Sequence, residues 1–129
     1  MRKSILLSEN IFYYYRVTYC YMVHDISLFR ELKTDIETTK RHIEIIKALL
    51  REQPVGIIKI AHETGLPEHK IRYSLRVLEK EHLIEPSREG AILTTEFMEN
   101  KDQIAEEARE ISEQLSEIYH SLKTTLIKR

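Results

Sequence analysis

The sequence is short of the residues that make turns, crosslinks and membrane spans. It has no tryptophan, three glycines, three prolines and one cysteine in 129 residues. So little Gly and Pro leaves few tight turns and predicts long helices. A lone cysteine, Cys20, excludes an intrachain disulfide, and no secretory leader pattern is present, so a reducing cytoplasm is the expected location. The richest apolar run, IFYYYRVTYCYMV over residues 11–23, is broken by Arg16 and Thr18 and is too short to cross a bilayer, so no membrane partner is expected. Excess positive charge is missing too. Twenty Lys and Arg stand against 21 Asp and Glu, for a net charge of -1, which argues against a non-specific nucleic-acid coat but leaves room for one basic face.

Catalytic signatures are equally scarce. There is no Gly-rich phosphate loop, and His62-Glu63, His69 and His82 lack the i, i+4 spacing of a helical zinc site. His42-x-Glu44 has the outline of a zinc deaminase fragment without the paired cysteines that should follow. No Ser, His and Asp order suggests a nucleophile. The expectation is a protein that is not an enzyme and needs no metal or cofactor.

What is present is uneven. Residues 1–53 carry nine Lys/Arg against seven Asp/Glu, residues 54–94 six against six, and residues 95–129 five against eight. The C-terminal segment is the acidic one and is expected to seek a protein partner rather than DNA. Residues 1–24 form an aromatic leader, with five of the seven tyrosines between Tyr13 and Tyr21. Every odd position from Ile11 to Val23 is apolar or aromatic, the period of a strand. Two readings stay open: a strand that pairs with a second copy or a sheet edge, or a non-native leader before a start at Met22.

From Ile26 to Leu50 the pattern is helical. Phe29, Leu32, Ile36, Thr39, Ile43, Ile46 and Leu50 alternate spacings of three and four, which places them on one stripe. Asp35 or Thr38 offers an internal cap, so one kinked helix and two successive helices are both open, and Pro54 ends the element. Ile57, Ile60 and Ala61 predict a short helix that stops at Thr64-Gly65. Leu66 enters the turn, and Pro67 and Glu68 suit the start of another helix, on which Ile71, Leu75 and Leu78 share a buried face. Two short strands follow, Leu83–Glu85 and Ala91–Thr94, joined through PSREG with Pro86 and Gly90. The remainder is one long helix. Phe97, Lys101, Ile104, Ala108, Ile111, Leu115, Ile118, Leu122 and Thr125 keep a strict heptad alternation, apolar without interruption from Ile104 to Leu122. Acidic residues at its start, and Lys123, Lys128 and Arg129 at its end, match the helix dipole.

The run PVGIIKIAHETGLPEHKIRYSLRVLEKEHLIEP, residues 54–86, resembles small archaeal winged helix-turn-helix transcriptional regulators. Within it IxxIAxxTGL resembles the entry to the helix-turn-helix, and IRYSLRVLEKEHLI resembles a recognition helix leading into a wing. One departure is His82, where relatives usually carry glycine; histidine tolerates a positive φ better than most residues. The resemblance implies a mainly α fold with a small β-hairpin wing, a winged helix-turn-helix followed by a long C-terminal coiled-coil helix. Its division would be residues 25–94 for the winged helix-turn-helix domain with its N-terminal helix, and residues 95–129 for a dimerisation helix.

In such a fold the second helix of the pair lies in the major groove. With Ile71, Leu75 and Leu78 inward, His69, Lys70, Arg72, Tyr73, Arg76 and Lys80 face outward. Arg72 and Arg76 are the candidates for reading guanine with paired hydrogen bonds. Lys70, Lys80 and Tyr73 suit phosphates, which position without specifying. Arg88 sits at the wing tip, and Lys59 and the pair Lys40-Arg41 are candidate anchors for neighbouring phosphates. Against this, an exposed helix face is commonly charged, and Glu79 and Glu81 offer surface partners for Arg76 and Lys80. Ile104, Ala108, Ile111, Leu115, Ile118 and Leu122 are the candidate dimerisation residues. The expected function is a sequence-specific DNA-binding transcriptional regulator, with double-stranded DNA and a second copy of itself as partners. Two rivals remain: a winged-helix protein-interaction adaptor that does not bind DNA, and a ligand or redox sensor centred on the aromatic leader and Cys20.

Overall fold

The structure, a computed structural model, describes residues 27–127. The aromatic leader, with its expected strand over Ile11–Val23, Cys20 and Met22, lies outside the described residues, as do Lys128 and Arg129. Among the described residues the chain is mainly helical, with four helices, one small antiparallel hairpin and a long C-terminal helix. Its contacts divide the described residues into two units that meet between Lys40 and Arg41.

Helix α1, Arg30–Arg51, is one unbroken element, so neither Asp35 nor Thr38 caps an internal break. Asp35 instead lends its carbonyl to the Thr39 hydroxyl at 2.8 Å, as Arg30 does to Thr34 at 3.0 Å. In the first unit Phe29, Leu32 and Ile36 are half-buried. In the second unit the buried face of α1 is Ile45, Ile46, Ala48 and Leu49, while Ile43 and Leu50 are exposed. The expected stripe is therefore rotated over this stretch, with Ile46 as the shared member.

The rest of the second unit closes around the end of α1. Helix α2, Ile57–Thr64, stops where Gly65 turns left-handed (φ 71°) and its amide returns to the Ala61 carbonyl at 2.9 Å. That conformation costs an L side chain about 1–2 kcal/mol and glycine nothing. Helix α3, Glu68–Lys80, starts directly after Pro67, whose carbonyl accepts from the amides of Lys70 and Ile71. Its end is closed by the Leu83 amide reaching back to the Leu78 carbonyl at 2.9 Å, with His82 between them at φ 59°. This is the left-handed closure of a helix C-terminus, carried here by a histidine.

Strands β1, Ile84–Ser87, and β2, Gly90–Leu93, pair antiparallel with Ile84 opposite Leu93 and Ser87 opposite Gly90. Both begin one residue away from the expected spans. A third extended residue, Val55, bridges to Ala91 through two backbone hydrogen bonds of 3.1 and 2.9 Å. Gly90, at φ 139°, makes that approach possible: a Cβ there would lie 2.4 Å from the Val55 carbonyl carbon. Gln53 adds a side-chain tie, its Oε1 accepting from the Leu93 amide at 2.8 Å. Ile45, Ile46, Leu49, Val55, Ile60, Ile71, Leu78, Ile84, Leu93 and Phe97 make up the core these elements share. Burying each large aliphatic side chain is worth about 1.5–3 kcal/mol.

Helix α4, Thr95–Leu126, leaves the hairpin at Thr94. The Thr94 hydroxyl accepts from the Phe97 amide at 3.1 Å, a side-chain cap of the new helix. It also donates to the His82 carbonyl at 2.7 Å. Phe97 is buried; beyond it Ile104, Leu115 and Leu122 are half-buried and Ala108, Ile111 and Ile118 are exposed.

Candidate nucleic-acid interface

The outer face of α3 is defined by what the inner face cannot give up. Ile71 and Ser74 are wholly buried and Leu78 nearly so, with Leu75 packed partly against the core. On a helix of ~3.6 residues per turn, His69, Tyr73, Arg76 and Lys80 then fall within about 50° of the direction opposite that face. All four are exposed, as are Lys70 and Arg72. Lys70 turns toward the Ser74 edge of the helix, and Arg72 toward α2.

The ion pairs sort these cations. Arg72 stands 3.8 Å from Glu68, one turn earlier on α3, and Lys59 is bonded to Glu52. Among the described residues Lys70, Arg76, Lys80 and Arg88 have no acidic partner. Glu79 and Glu81 do not engage Arg76 or Lys80, so these two charges are free on the surface. Arg88 occupies the two-residue turn of the hairpin beside Glu89. Between the hairpin and α3 runs a groove lined by Leu75, Glu79, Ile84, Pro86, Arg88 and Ala91. A second, mostly apolar hollow beside the start of α2 is lined by Gly56, Ile58, Lys59, His62, Glu63 and Arg72. Arg72 and Lys59 thus share one hollow, whereas Arg76 and Lys80 lie on the open face.

Arg41 has a different place from the one expected. Its Nε–H donates to the Ser74 hydroxyl at 2.8 Å, and its guanidinium lies 5.8 Å from the centre of the Tyr73 ring. It is half-buried and braces α3 against α1. Lys40 is held by Glu37 at 3.2 Å. Sequence reasoning missed this brace, although Ser74 carried a signal: a small polar residue in register with Ile71 and Leu78 must find a partner inside.

Beside the brace, His42 is half-buried, and its Nδ1 has no hydrogen-bond partner among the described residues. Burial, and then the neighbouring Arg41 charge, hold the His42 imidazole below its ordinary pKa. Among the described residues no three His, Cys, Asp or Glu side chains gather as metal ligands. No helix in them is long and apolar enough to cross a membrane.

No family model matches the chain, and no solved structure matches it. It is 39% identical over 72 residues to an uncharacterized protein of Methanocaldococcus jannaschii, an alignment that covers 53% of this chain and 18% of that protein. The match thus spans less than a fifth of the relative's length.

Proposed function

We propose that the chain is a winged helix-turn-helix protein that binds double-stranded DNA in a sequence-specific way and regulates transcription as a homodimer. The observation that carries the proposal is the outer face of α3, where Arg76 and Lys80 project unpaired from a helix whose opposite side is locked by Ile71, Ser74 and Leu78. The element order supports it: α1, α2, a glycine turn, α3, then a hairpin with Val55 as a third extended residue. In this reading α3 enters the major groove, Arg76 and Arg72 read base edges, and Lys70, Lys80, Tyr73 and His69 meet phosphates. Arg88 at the hairpin turn, and Lys59 beside the start of α2, extend the same basic surface. The apolar row of α4 pairs two copies, so that two α3 helices address separate half-sites.

The test is selection of bound fragments from sheared genomic DNA, followed by affinity measurement over a salt series. Enrichment of one motif, with binding that weakens steeply as salt rises, is the expected result. Failure to retain any duplex at any salt concentration overturns it and favours the adaptor reading.

A further inference from the structure

Resting on the reading of α4 as the face that joins two copies, we infer that the two α4 helices run antiparallel, with the twofold axis beside Ser112. The heptad row supplies two lines of side chains: Ile104, Ile111 and Ile118, and Ala108, Leu115 and Leu122. A third line runs one residue behind the first: Met98, Ala105, Ser112, Tyr119 and Leu126. Its large members stand in solvent in the single chain, Tyr119 at 57% exposure and Leu126 at 73%. The opposite flank, Asn100, Glu107, Gln114 and Ser121, is polar throughout.

The two flanks decide the orientation. In a parallel pair each flank of one helix meets the other flank of its partner. Tyr119 would then face Gln114 of the second copy, and Leu126 would face Ser121 of the second copy, leaving apolar surface against polar. In an antiparallel pair like meets like. The apolar flank covers itself and the polar flank stays in water.

The seam agrees. An antiparallel register that sets Ile104 against Leu122 of the second copy also sets Ala108 against Ile118 and Ile111 against Leu115, so the small Ala108 of the seam meets a large residue. On the apolar flank the same register puts Met98 by Leu126 and Ala105 by Tyr119, with the two Ser112 side chains together at the axis. Lys101 comes opposite Thr125. A parallel pair instead presses Lys101 against Lys101, like charges within the seam, and Ala108 against Ala108, which leaves a gap. On the outward side Arg109 bonds both Glu106 and Glu113, which keeps these carboxylates away from the contact. The heads of the two copies then stand at opposite ends of the paired helices.

The experiment measures distances between spin labels in the full chain carrying Cys20→Ser. One sample adds Glu99→Cys and another adds Ser112→Cys. Glu99 lies about two heptads from the axis, so at ~1.5 Å per residue its two labels should stand roughly 40 Å apart, while the Ser112 labels should lie within about 20 Å. A Glu99 distance near 20 Å, two helix diameters, overturns the antiparallel arrangement and leaves the dimer intact. Absence of any dipolar signal in both samples, with a monomer mass by sedimentation, overturns the homodimer reading and this inference with it.

Discussion

Arg41 and Ser74, thirty-three positions apart, are joined by a 2.8 Å hydrogen bond from a half-buried guanidinium to a wholly buried hydroxyl. The bond fixes how α3 is rotated against α1, and therefore which residues α3 shows to solvent. Ser74→Ala removes the acceptor and leaves the Arg41 Nε–H unsatisfied, at an expected cost of about 1–3 kcal/mol in urea unfolding. Because Arg41 is occupied in this way, the Ser74 variant should weaken DNA binding through loosened packing, with the salt dependence of binding unchanged. A loss below about 0.5 kcal/mol would mean that water replaces the hydroxyl and that the brace contributes nothing.

Gly90 should tolerate no side chain. A Cβ would press against the Val55 carbonyl at 2.4 Å, and the neighbour is backbone, which cannot rotate away. Gly90→Ala is expected to break the Val55–Ala91 bridge and destabilise the fold by about 3 kcal/mol or more. Hydrogen exchange reads the bridge directly: the Ala91 amide, bonded to the Val55 carbonyl at 2.9 Å, should lose protection while α3 amides keep theirs.

Stability should depend on the protonation of His42. The folded protein holds this imidazole below the ordinary value of 6.5, so the unfolded chain binds the proton more tightly. The contribution of His42 is therefore whole above that pH. It is lost as the pH falls from there through the folded value, and it levels off below. His42→Gln should flatten this part of the curve when unfolding free energy is compared at about pH 7.5 and about pH 5. Parallel curves for the two proteins would show that the site is wet enough to accept the charge.

DNA contact should separate the two arginines. Arg76 is unpaired, whereas Arg72 must leave Glu68 before it can reach a base. Arg76→Ala is expected to cost about 1–3 kcal/mol of binding and to blur one operator position. Arg72→Ala should cost less, and Glu68→Gln should tighten binding by releasing Arg72. Equal affinities and equal salt slopes for all four proteins would remove α3 from the interface.

The parts of the fold legible in the sequence were those where one residue type answers one geometric need. Gly65 ends α2, Pro67 precedes α3, and His82 marks a left-handed closure because few other side chains accept it. The inner face of α3 was equally legible, since Ile71, Leu75 and Leu78 fall at i, i+4 and i+7 on a helix whose other face carries His69, Tyr73, Arg76 and Lys80. The end of α1 was not. Ile43 and Leu50 form an apolar row beside Ile45, Ala48 and Leu49, and periodicity cannot say which of two adjacent rows a neighbouring element will cover. Val55 was invisible as a strand because a single bridging residue has no period. Within the candidate interface the outward residues could be named from the helix wheel. Their ion pairs, and the diversion of Arg41 to Ser74, depend on side-chain directions that spacing does not encode.

Thr94 has a mechanical consequence. Its one hydroxyl joins the close of α3 at His82 to the first turn of α4 at Phe97, so the long helix is clamped where it leaves the hairpin. Its 32 residues make a lever of about 48 Å at ~1.5 Å each. A tilt of about 6° at that clamp sweeps the far end through about 5 Å, close to one turn of helix. Small changes of angle at Thr94 are thus amplified into sideways displacements of several ångströms for whatever the far end of α4 holds.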